Sequence, residues 1–522
     1  MTWIDRVLDS CPQRVVVNDS KTPSGRAHVG SLRGVLIHDA LARAARERGL
    51  DATFRYGCDD MDAVDEVPHG TGDRFFEHLG KPLWAAPPPA GLDGESMAQA
   101  YFGEFTSTFE PLGVETSFYF MSDIYRAGRL DEITDTFLRA AQTVREIYLR
   151  LSGAERSDDW LPFQPICSEC GRIGTTYASD YDGQTVAYEC RADLVQWATG
   201  CGHRGRISPF GGNGKLPWKL EWAAKWKLFG VSIEGAGKDH MAASGSHEVS
   251  SALARQVLRC GVPVAVPYEF FTLGGAKMSS SKGIGMTASE LAAMLPPELL
   301  RYVVLRTQPK RAIDFALDVA GLTKAFVEYE RLWRSMAAGE AAPNQQQLYF
   351  ISQVAGHGTV PQSPAFSPPF DSVLSLTQQP HIDLATHVKS LGVDLSTEEE
   401  AEWLGRKEAT AQRLMQSRPD LASKFAMLDV AEINEQRKRL DDRQRDFLGR
   451  CSQRLDELTE WDARAIQDAI FEAARDVGID PRTDAALAFG ALYKVFFGEE
   501  TGPRAGSYLA FLGRQETLRR LG

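Results

Sequence analysis

The chain has 522 residues, 43% hydrophobic and 25% charged, with a formal net charge of -12 at pH 7. That composition excludes a disordered or fibrous chain and leaves room for roughly two to four domains with real cores. The acidic balance argues against indiscriminate nucleic-acid binding but not against a local basic face.

The opening residues, MTWIDRVLDSCPQRVVVNDS, carry charges and a proline before any apolar run reaches the length of a signal segment. No later stretch has the unbroken apolar length of a membrane span, so the expected location is cytoplasmic, with no membrane partner.

Residues 1 to about 140 alternate apolar strands with amphipathic helices, the beginning of a parallel nucleotide-binding sheet. Val15-Val16-Val17 predicts the first strand, and Leu32, Val35, Leu36, Ala40 and Ala44 predict a helix from His28 to about Arg48. Pro23-Ser24-Gly25-Arg26-Ala27-His28-Val29-Gly30 therefore lies at a strand-to-helix junction, where phosphates bind. A lone histidine at a helix start more often packs or caps, so this stretch needs a second motif to carry meaning. Ala52 to Tyr56 predicts the next strand, and Trp84 to Pro89 a proline-rich surface loop near the site mouth. Helical patterns follow through Phe102, Phe105 and Phe109, and from Ile133 to Leu151.

Of the eight cysteines, Cys11, Cys58, Cys260 and Cys451 stand alone, the usage of small buried hydrophobes. Cys167, Cys170, Cys190 and Cys201 cluster within residues 160–210. Cys167-x2-Cys170 followed by Gly171 is a knuckle turn that aims two thiolates at one point, and Cys190 with Cys201 completes a tetrahedral set for Zn²⁺. His203 competes with Cys201 for the fourth place. The rival reading is four unrelated buried cysteines. Four protein ligands would leave no open position, which predicts a structural ion.

The sheet is expected to resume with Lys215 to Trp222, to continue through Val231 to Glu234 and Gly237-Lys238-Asp239-His240, and to end at Pro267 to Phe271. Next comes Lys277-Met278-Ser279-Ser280-Ser281-Lys282-Gly283, hydroxyls between two lysines with Gly274 and Gly275 before them. Alone this is the composition of a solvated loop; paired with the His28 stretch upstream it reads as a clamp for triphosphate. A helix pair from Thr287 to about Lys310 should support it. After Leu317 the alternation ceases, Ala341 to Ser367 reads as a long loop or linker, and 380–522 is helical by period. Glu432 to Leu448 predicts a solvated, salt-bridged helix, with an RNA-facing helix as the alternative.

His28-Val29-Gly30-Ser31 and Lys277-Met278-Ser279-Ser280-Ser281 resemble the two signature motifs of class I aminoacyl-tRNA synthetases. Thr22-Pro23-Ser24-Gly25, Asp59-Asp60-Met61-Asp62, Leu79-Gly80-Lys81-Pro82-Leu83, Gly214-Lys215-Leu216-Pro217-Trp218, Gly237-Lys238-Asp239-His240 and Gly502-Pro503-Arg504 extend the likeness nearly end to end, and together resemble class I lysyl-tRNA synthetase. The resemblance implies an α/β fold with a Rossmann-like catalytic domain (1–155 and 211–285), a zinc-binding insertion (156–210), a helical support region for the mobile lysine/serine loop (286–320) and an α-helical anticodon-binding domain (321–522). It implies activation of L-lysine with ATP and Mg²⁺ and transfer to tRNA(Lys), with a structural Zn²⁺.

The implied catalytic groups are His28, Lys277 and Lys282. ATP would be held by Pro23, Ser24, Gly25, His28, Gly30, Ser31, Gly237 and Asp239 with Lys277, Met278, Ser279, Ser280 and Ser281. The amino acid would meet Trp218, His240 and Tyr268 with Thr22 at the pocket floor, and Asp19 is a candidate carboxylate for its ammonium. Two departures stand out: Ser20 where the family usually has glycine, and Asp65-Glu66 where it usually has a basic pair. Rival functions are a ligase that passes an activated amino acid to a small amine, and a tRNA-binding paralogue with a decayed site. The sequence leaves the oligomeric state open, with a monomer favoured.

Overall fold

The computed structural model describes residues 2–69, 71–274, 286–355, 367–379, 382–392, 398–480 and 482–522. It forms two compact units, one of Met1–Ala293, Leu300–Phe315 and Phe350–Gly356, the other of Met294–Leu299, Ala316–Tyr349 and His357–Gly522.

In the first unit, α1 (Trp3–Leu8) starts on a capping box between Thr2 and Asp5. Strand β1 (Arg14–Lys21) buries Val15, Val16, Val17 and Asn18 in succession, the pattern of a strand covered on both faces. Helix α2 (Ser31–Glu47) is buried from Leu32 to Ala45, and β2 (Asp51–Cys58) pairs parallel to β1 with Val17 opposite Phe54. Helix α3 (Met97–Thr106), capped by Ser96, leads to β3 (Ser117–Phe120), parallel to β2. The helical pattern from Ile133 to Leu151 belongs to two helices: after α4 (Met121–Arg126), α5 (Asp131–Arg139) and α6 (Ala141–Ser152) meet at Ala140.

The cysteine region is a small antiparallel β module. Its short β4 (Gln164–Pro165) precedes β5 (Thr176–Tyr181), β6 (Val186–Cys190) and β7 (Arg204–Ile207), and β8 (Gly214–Lys215) pairs back to β4. The expected strand from Lys215 to Trp222 is corrected here: β8 stops before Pro217, and α7 (Trp218–Phe229) follows. Leu220, Ala223, Ala224 and Trp226 recur at helical rather than alternating spacing and are all buried.

Next come β9 (Ile233–Gly237), α8 (Lys238–Met241), α9 (Ser246–Leu253), β10 (Val264–Tyr268), β11 (Phe271–Leu273), α10 (Ala288–Met294), α11 (Pro297–Leu305) and β12 (Ile313–Phe315). The central five-stranded sheet runs β10-β9-β1-β2-β3 with every pairing parallel. Successive strands travel outward on both sides of β1, so the chain reverses direction between β1 and β9. Crevices open at the carboxyl ends of such a switch point. One buried knot fastens α2: Asp39 accepts from Arg301 at 2.6 Å and pairs with Arg43 at 2.9 Å. The same guanidinium groups donate to the carbonyls of Ile351 and Gln353.

The second unit is helical. Helix α12 (Val319–Ala337) is capped by Asp318. Phe326 stacks on Phe370, and Lys407 is buried against Glu330 at 2.5 Å. The linker expected from 341 to 367 is corrected in part: α13 (Pro343–Ser352) forms, with Tyr349 and Ile351 buried, because apolar residues follow the glutamine run that suggests a loop. The basic run after Glu432 belongs to two helices, Val430–Lys438 and Asp442–Asp456, divided by a second cap at Asp441. Lys438 and Arg445 pair with Glu435 and Asp442 on the surface, whereas Arg437 and Arg443 donate to the carbonyls of Arg520 and Gly478. No helix among the described residues is long and apolar enough to cross a membrane.

Candidate active site

The carboxyl ends of β1, β9 and β10 border a cavity of about 1220 Å³. Ser24, His28, Gly30, Ser31, Gly237 and Asp239 line it, as do Thr22, Asp19, Trp218, His240 and Tyr268, so one space collects both sets of sequence candidates. Pro23 and Gly25 are buried and do not line it. Lys277, Met278, Ser279, Ser280, Ser281 and Lys282 lie outside the described residues. The chain on either side of them is nevertheless fixed at the first motif. Val29 N–H donates to Met286 O, Ala288 N–H to Ala27 O, and His28 forms a β-bridge with Thr287. On the entry side, Phe271 lies against Gly30.

His28 is held in one tautomer. Its Nδ1 accepts the Gly30 N–H at 3.0 Å, so the neutral ring carries its proton on Nε2. Burial first, and then the charge of Lys21, push its pKa down to about 4, leaving an uncharged donor at neutral pH. A Cβ at residue 30 would fall 2.7 Å from the His28 ring, so a side chain there would displace the imidazole. The first amides of α2 are already engaged, Ser31, Leu32 and Arg33 donating to the carbonyls of His28, Val29 and Gly30. Side chains of the turn, more than helix amides, therefore face the cavity.

The opposite wall is rich in charge. Asp19 accepts from the Ser20 N–H at 2.8 Å and lies 3.4 Å from the His38 ring, with the charges of Lys21 and Lys225 acting on it from farther off. His38 is buried and pushed toward its neutral form, its Nε2 accepting from the Gly235 N–H at 2.7 Å. Burial raises the Asp19 pKa to about 7, and among the described residues no lysine or arginine pairs with it. Tyr268 stands beside it: a Cβ at Gly34 would meet both the Tyr268 hydroxyl and an Asp19 oxygen. Trp218 stacks on Trp222 and meets His240 edge-on at 5.5 Å, giving an aromatic side to the cavity.

Sequence reasoning missed the residues that organise this wall. Asp59 and Asp62, on the turn after β2, are met by Lys225 and Lys215, with Lys225 Nζ 2.5 Å from Asp59 Oδ1. Lys215 also reaches Glu221 at 3.3 Å, which accepts from Tyr125 at 2.8 Å. The signal was present in the Asp59-Asp60-Met61-Asp62 run and in Glu221 and Lys225 one helical turn apart. The departures fall here too: Ser20 bonds Asp59, and Asp65 lines the cavity. The β module contributes Gln164, Ile173 and Trp197 to the lining, although its sequence suggests only a metal knuckle.

In that module the sulfurs of Cys167, Cys170, Cys190 and Cys201 lie within 4.8 Å of one another. Gly171, at φ +72°, closes the knuckle turn by donating to Cys167 O. Burial opposes ionisation of Cys170, but the Arg172 backbone and neighbouring thiols bring it down to about 7. His203 faces Ser168 at 3.2 Å, and the four-sulfur group forms without it. The donor set suits Zn²⁺.

A family model described as tRNA synthetases class I (K) matches residues 4–355, and an anticodon binding domain model matches 382–522. The chain belongs to the class I (K) tRNA synthetases. A lysine--tRNA ligase of Methanopyrus kandleri is 33% identical over 97% of this chain and 93% of that protein. Those of Thermoplasma volcanium and Methanosphaera stadtmanae are 30% and 28% identical, covering 100% and 99% of this chain and 98% of each relative. As a class I (K) synthetase, the chain has its parallel sheet and cavity within the first match.

Proposed function

We propose that this chain is a lysine--tRNA ligase acting on L-lysine, ATP and tRNA(Lys). The observation that carries the reading is a single cavity holding a neutral imidazole in a strand-turn-helix phosphate motif and, in Asp19, a carboxylate open to a cation. A lysine carboxylate oxygen attacks the α-phosphorus of ATP, the bond to the β-phosphate oxygen breaks, and pyrophosphate leaves. A ribose hydroxyl at the tRNA 3′ end then attacks the carbonyl carbon, and AMP departs. His28 Nε2–H donates to phosphate oxygen as charge develops, while Lys277 and Lys282 stabilise the leaving pyrophosphate. Ser24, Gly30, Ser31, Gly237 and Asp239 position the nucleotide.

Asp19 provides the counter-charge for the side-chain ammonium, with Thr22 at the floor and Trp218, His240 and Tyr268 around the alkyl stem. Mg²⁺ arrives on the ATP phosphates. Cys167, Cys170, Cys190 and Cys201 would hold a Zn²⁺ whose contribution would be structural, fixing the module that bears Ile173 and Trp197. Residues 1–155 and 211–285 form the catalytic domain, 156–210 the insertion, 286–320 the support of the lysine/serine loop, and 321–522 the anticodon-binding domain. Pyrophosphate exchange across the amino acids, with and without tRNA, tests the reading. Exchange that depends on lysine supports it, and exchange with another amino acid alone refutes it.

A further inference from the structure

The cavity floor contains the same small device twice. Ser20 and Thr22 point from one face of the β1 end toward Asp59 and Asp62, and each aspartate is held from behind by a lysine. Thr22 Oγ1 donates to Asp62 Oδ2 at 2.6 Å, while Lys215 Nζ pairs with Asp62 Oδ1. Ser20 Oγ donates to Asp59 Oδ2 at 2.9 Å, while Lys225 Nζ donates to Asp59 Oδ1 at 2.5 Å and to Ser20 Oγ at 3.0 Å. The lysine side chains are only 3% and 4% exposed.

Donor counting fixes where the hydroxyl protons go. An ammonium has donors and no acceptor, an ionised carboxylate has acceptors and no donor, and a hydroxyl has one proton and two lone-pair sites. Because Lys225 donates to Ser20, the Ser20 proton must lie toward Asp59. Because Asp62 is paired with Lys215, it can only accept, so the Thr22 proton lies toward Asp62. Among the described residues nothing donates to Thr22 Oγ1, and Ser20 Oγ retains one acceptor site. Both residues line the cavity, as do Asp59, Asp62, Lys215 and Lys225, and the unused acceptor sites on the two hydroxyls are left for a ligand.

We propose that Asp62 and Asp59, each locked by its lysine, are positioning residues that set the polarity of the Thr22 and Ser20 hydroxyls, making this wall selective for a donor-only end group. An alkylammonium satisfies such a wall. An alcohol satisfies it partly, and a group that only accepts meets lone pair with lone pair. The inference rests on the proposed placement of lysine at Thr22. It assigns part of the selectivity to Asp59 and Asp62 through the hydroxyls they orient, although both also line the cavity.

The decisive variant is Asp62→Asn. Lys215 requires an acceptor, so the amide oxygen faces Lys215 and Nδ2 faces Thr22, turning the Thr22 proton toward the cavity. Glu221 still pairs with Lys215, so the buried ammonium keeps one carboxylate partner. Binding of L-lysine and of L-6-hydroxynorleucine, its isostere with hydroxyl for ammonium, is measured by calorimetry on the full chain. The expected result is lysine binding weakened at least tenfold with 6-hydroxynorleucine unchanged or tighter, so the preference collapses. Loss of both ligands by the same factor overturns the proposal.

In a Thr22→Val background, Asp62→Asn should leave the preference unmoved, since the relay has no hydroxyl to act through. If Thr22→Val alone does not weaken lysine, the placement of lysine at Thr22 fails, and with it the basis of the inference; if it does, while Asp62→Asn keeps the preference, only the polarity argument fails. The unmodified protein supplies a test that needs no substitution: 6-fluoronorleucine, which donates nothing, should bind at least tenfold more weakly than 6-hydroxynorleucine. Equal binding overturns the assignment.

Discussion

Asn at position 19 should make the free protein more stable and the enzyme worse. Asp19 is 15% exposed and its pKa is raised to about 7 from 3.8, chiefly by burial. A folded-state value above the unfolded one means that the stability it contributes is full below about pH 4 and is lost as pH rises through about 7. At about 1.4 kcal/mol per unit, the ionised carboxylate costs at most about 4 kcal/mol above pH 7. Allowing for relaxation, Asp19→Asn should recover about 2 kcal/mol, raising the first unfolding transition by roughly 4 °C at pH 8, with the gain vanishing toward pH 4. Lysine binding moves the other way. Losing a charge-assisted bond of about 1.5–3 kcal/mol raises the lysine KM roughly 10- to 150-fold in pyrophosphate exchange, with a smaller effect on kcat. Calorimetric unfolding from pH 4 to 8, beside lysine KM, checks both halves. A variant that melts earlier at pH 8, or that keeps its lysine KM, refutes the assignment of Asp19 as an open carboxylate awaiting a cation.

Lys277→Ala should slow adenylate formation by about 2.7–4 kcal/mol of barrier while leaving lysine binding nearly unchanged, because its ammonium acts on the departing pyrophosphate; single-turnover activation decides, and an unchanged rate removes the role. Protein purified without added zinc should carry about one Zn²⁺ per chain, and Cys170→Ser should release it and loosen 165–205 in hydrogen exchange. Since Trp197 and Ile173 line the cavity, metal loss should also raise the lysine KM. A chain ending after Ala355 should activate lysine yet fail to distinguish wild-type from anticodon-substituted tRNA, as read by aminoacylation. Ending it at Leu317 instead removes the Ile351 and Gln353 carbonyls, leaving the buried guanidinium groups of Arg301 and Arg43 with Asp39 and the Leu112 and Gly113 carbonyls, at about 1–3 kcal/mol for each lost acceptor. Equal anticodon discrimination by the shorter and full chains would give the helical region another purpose.

What the sequence determined by itself is local. His28 and Gly30 stand in a turn between an apolar strand and an amphipathic helix, so their place at the cavity follows from neighbours a few residues away. The cysteine set is legible because C-x2-C fixes two ligands in one turn, and the helical nature of the last part is written in its period. Where a local pattern was ambiguous, tertiary context decided: Lys215 to Trp222 turned into a two-residue strand and a helix, and a glutamine run proved to begin a helix with a buried end. The lysine–aspartate wall was beyond reach of sequence patterning, because Lys225 meets Asp59 across 166 residues and Lys215 meets Asp62 across 153. Those pairs exist only once β8, which carries Lys215, and α7, which carries Lys225, reach the turn after β2. Lys21 and Lys225 act on Asp19 only through their charge, and among the described residues neither forms an ion pair with it. A residue's charge is set by its identity, but whether that charge is already answered depends on what folding brings beside it.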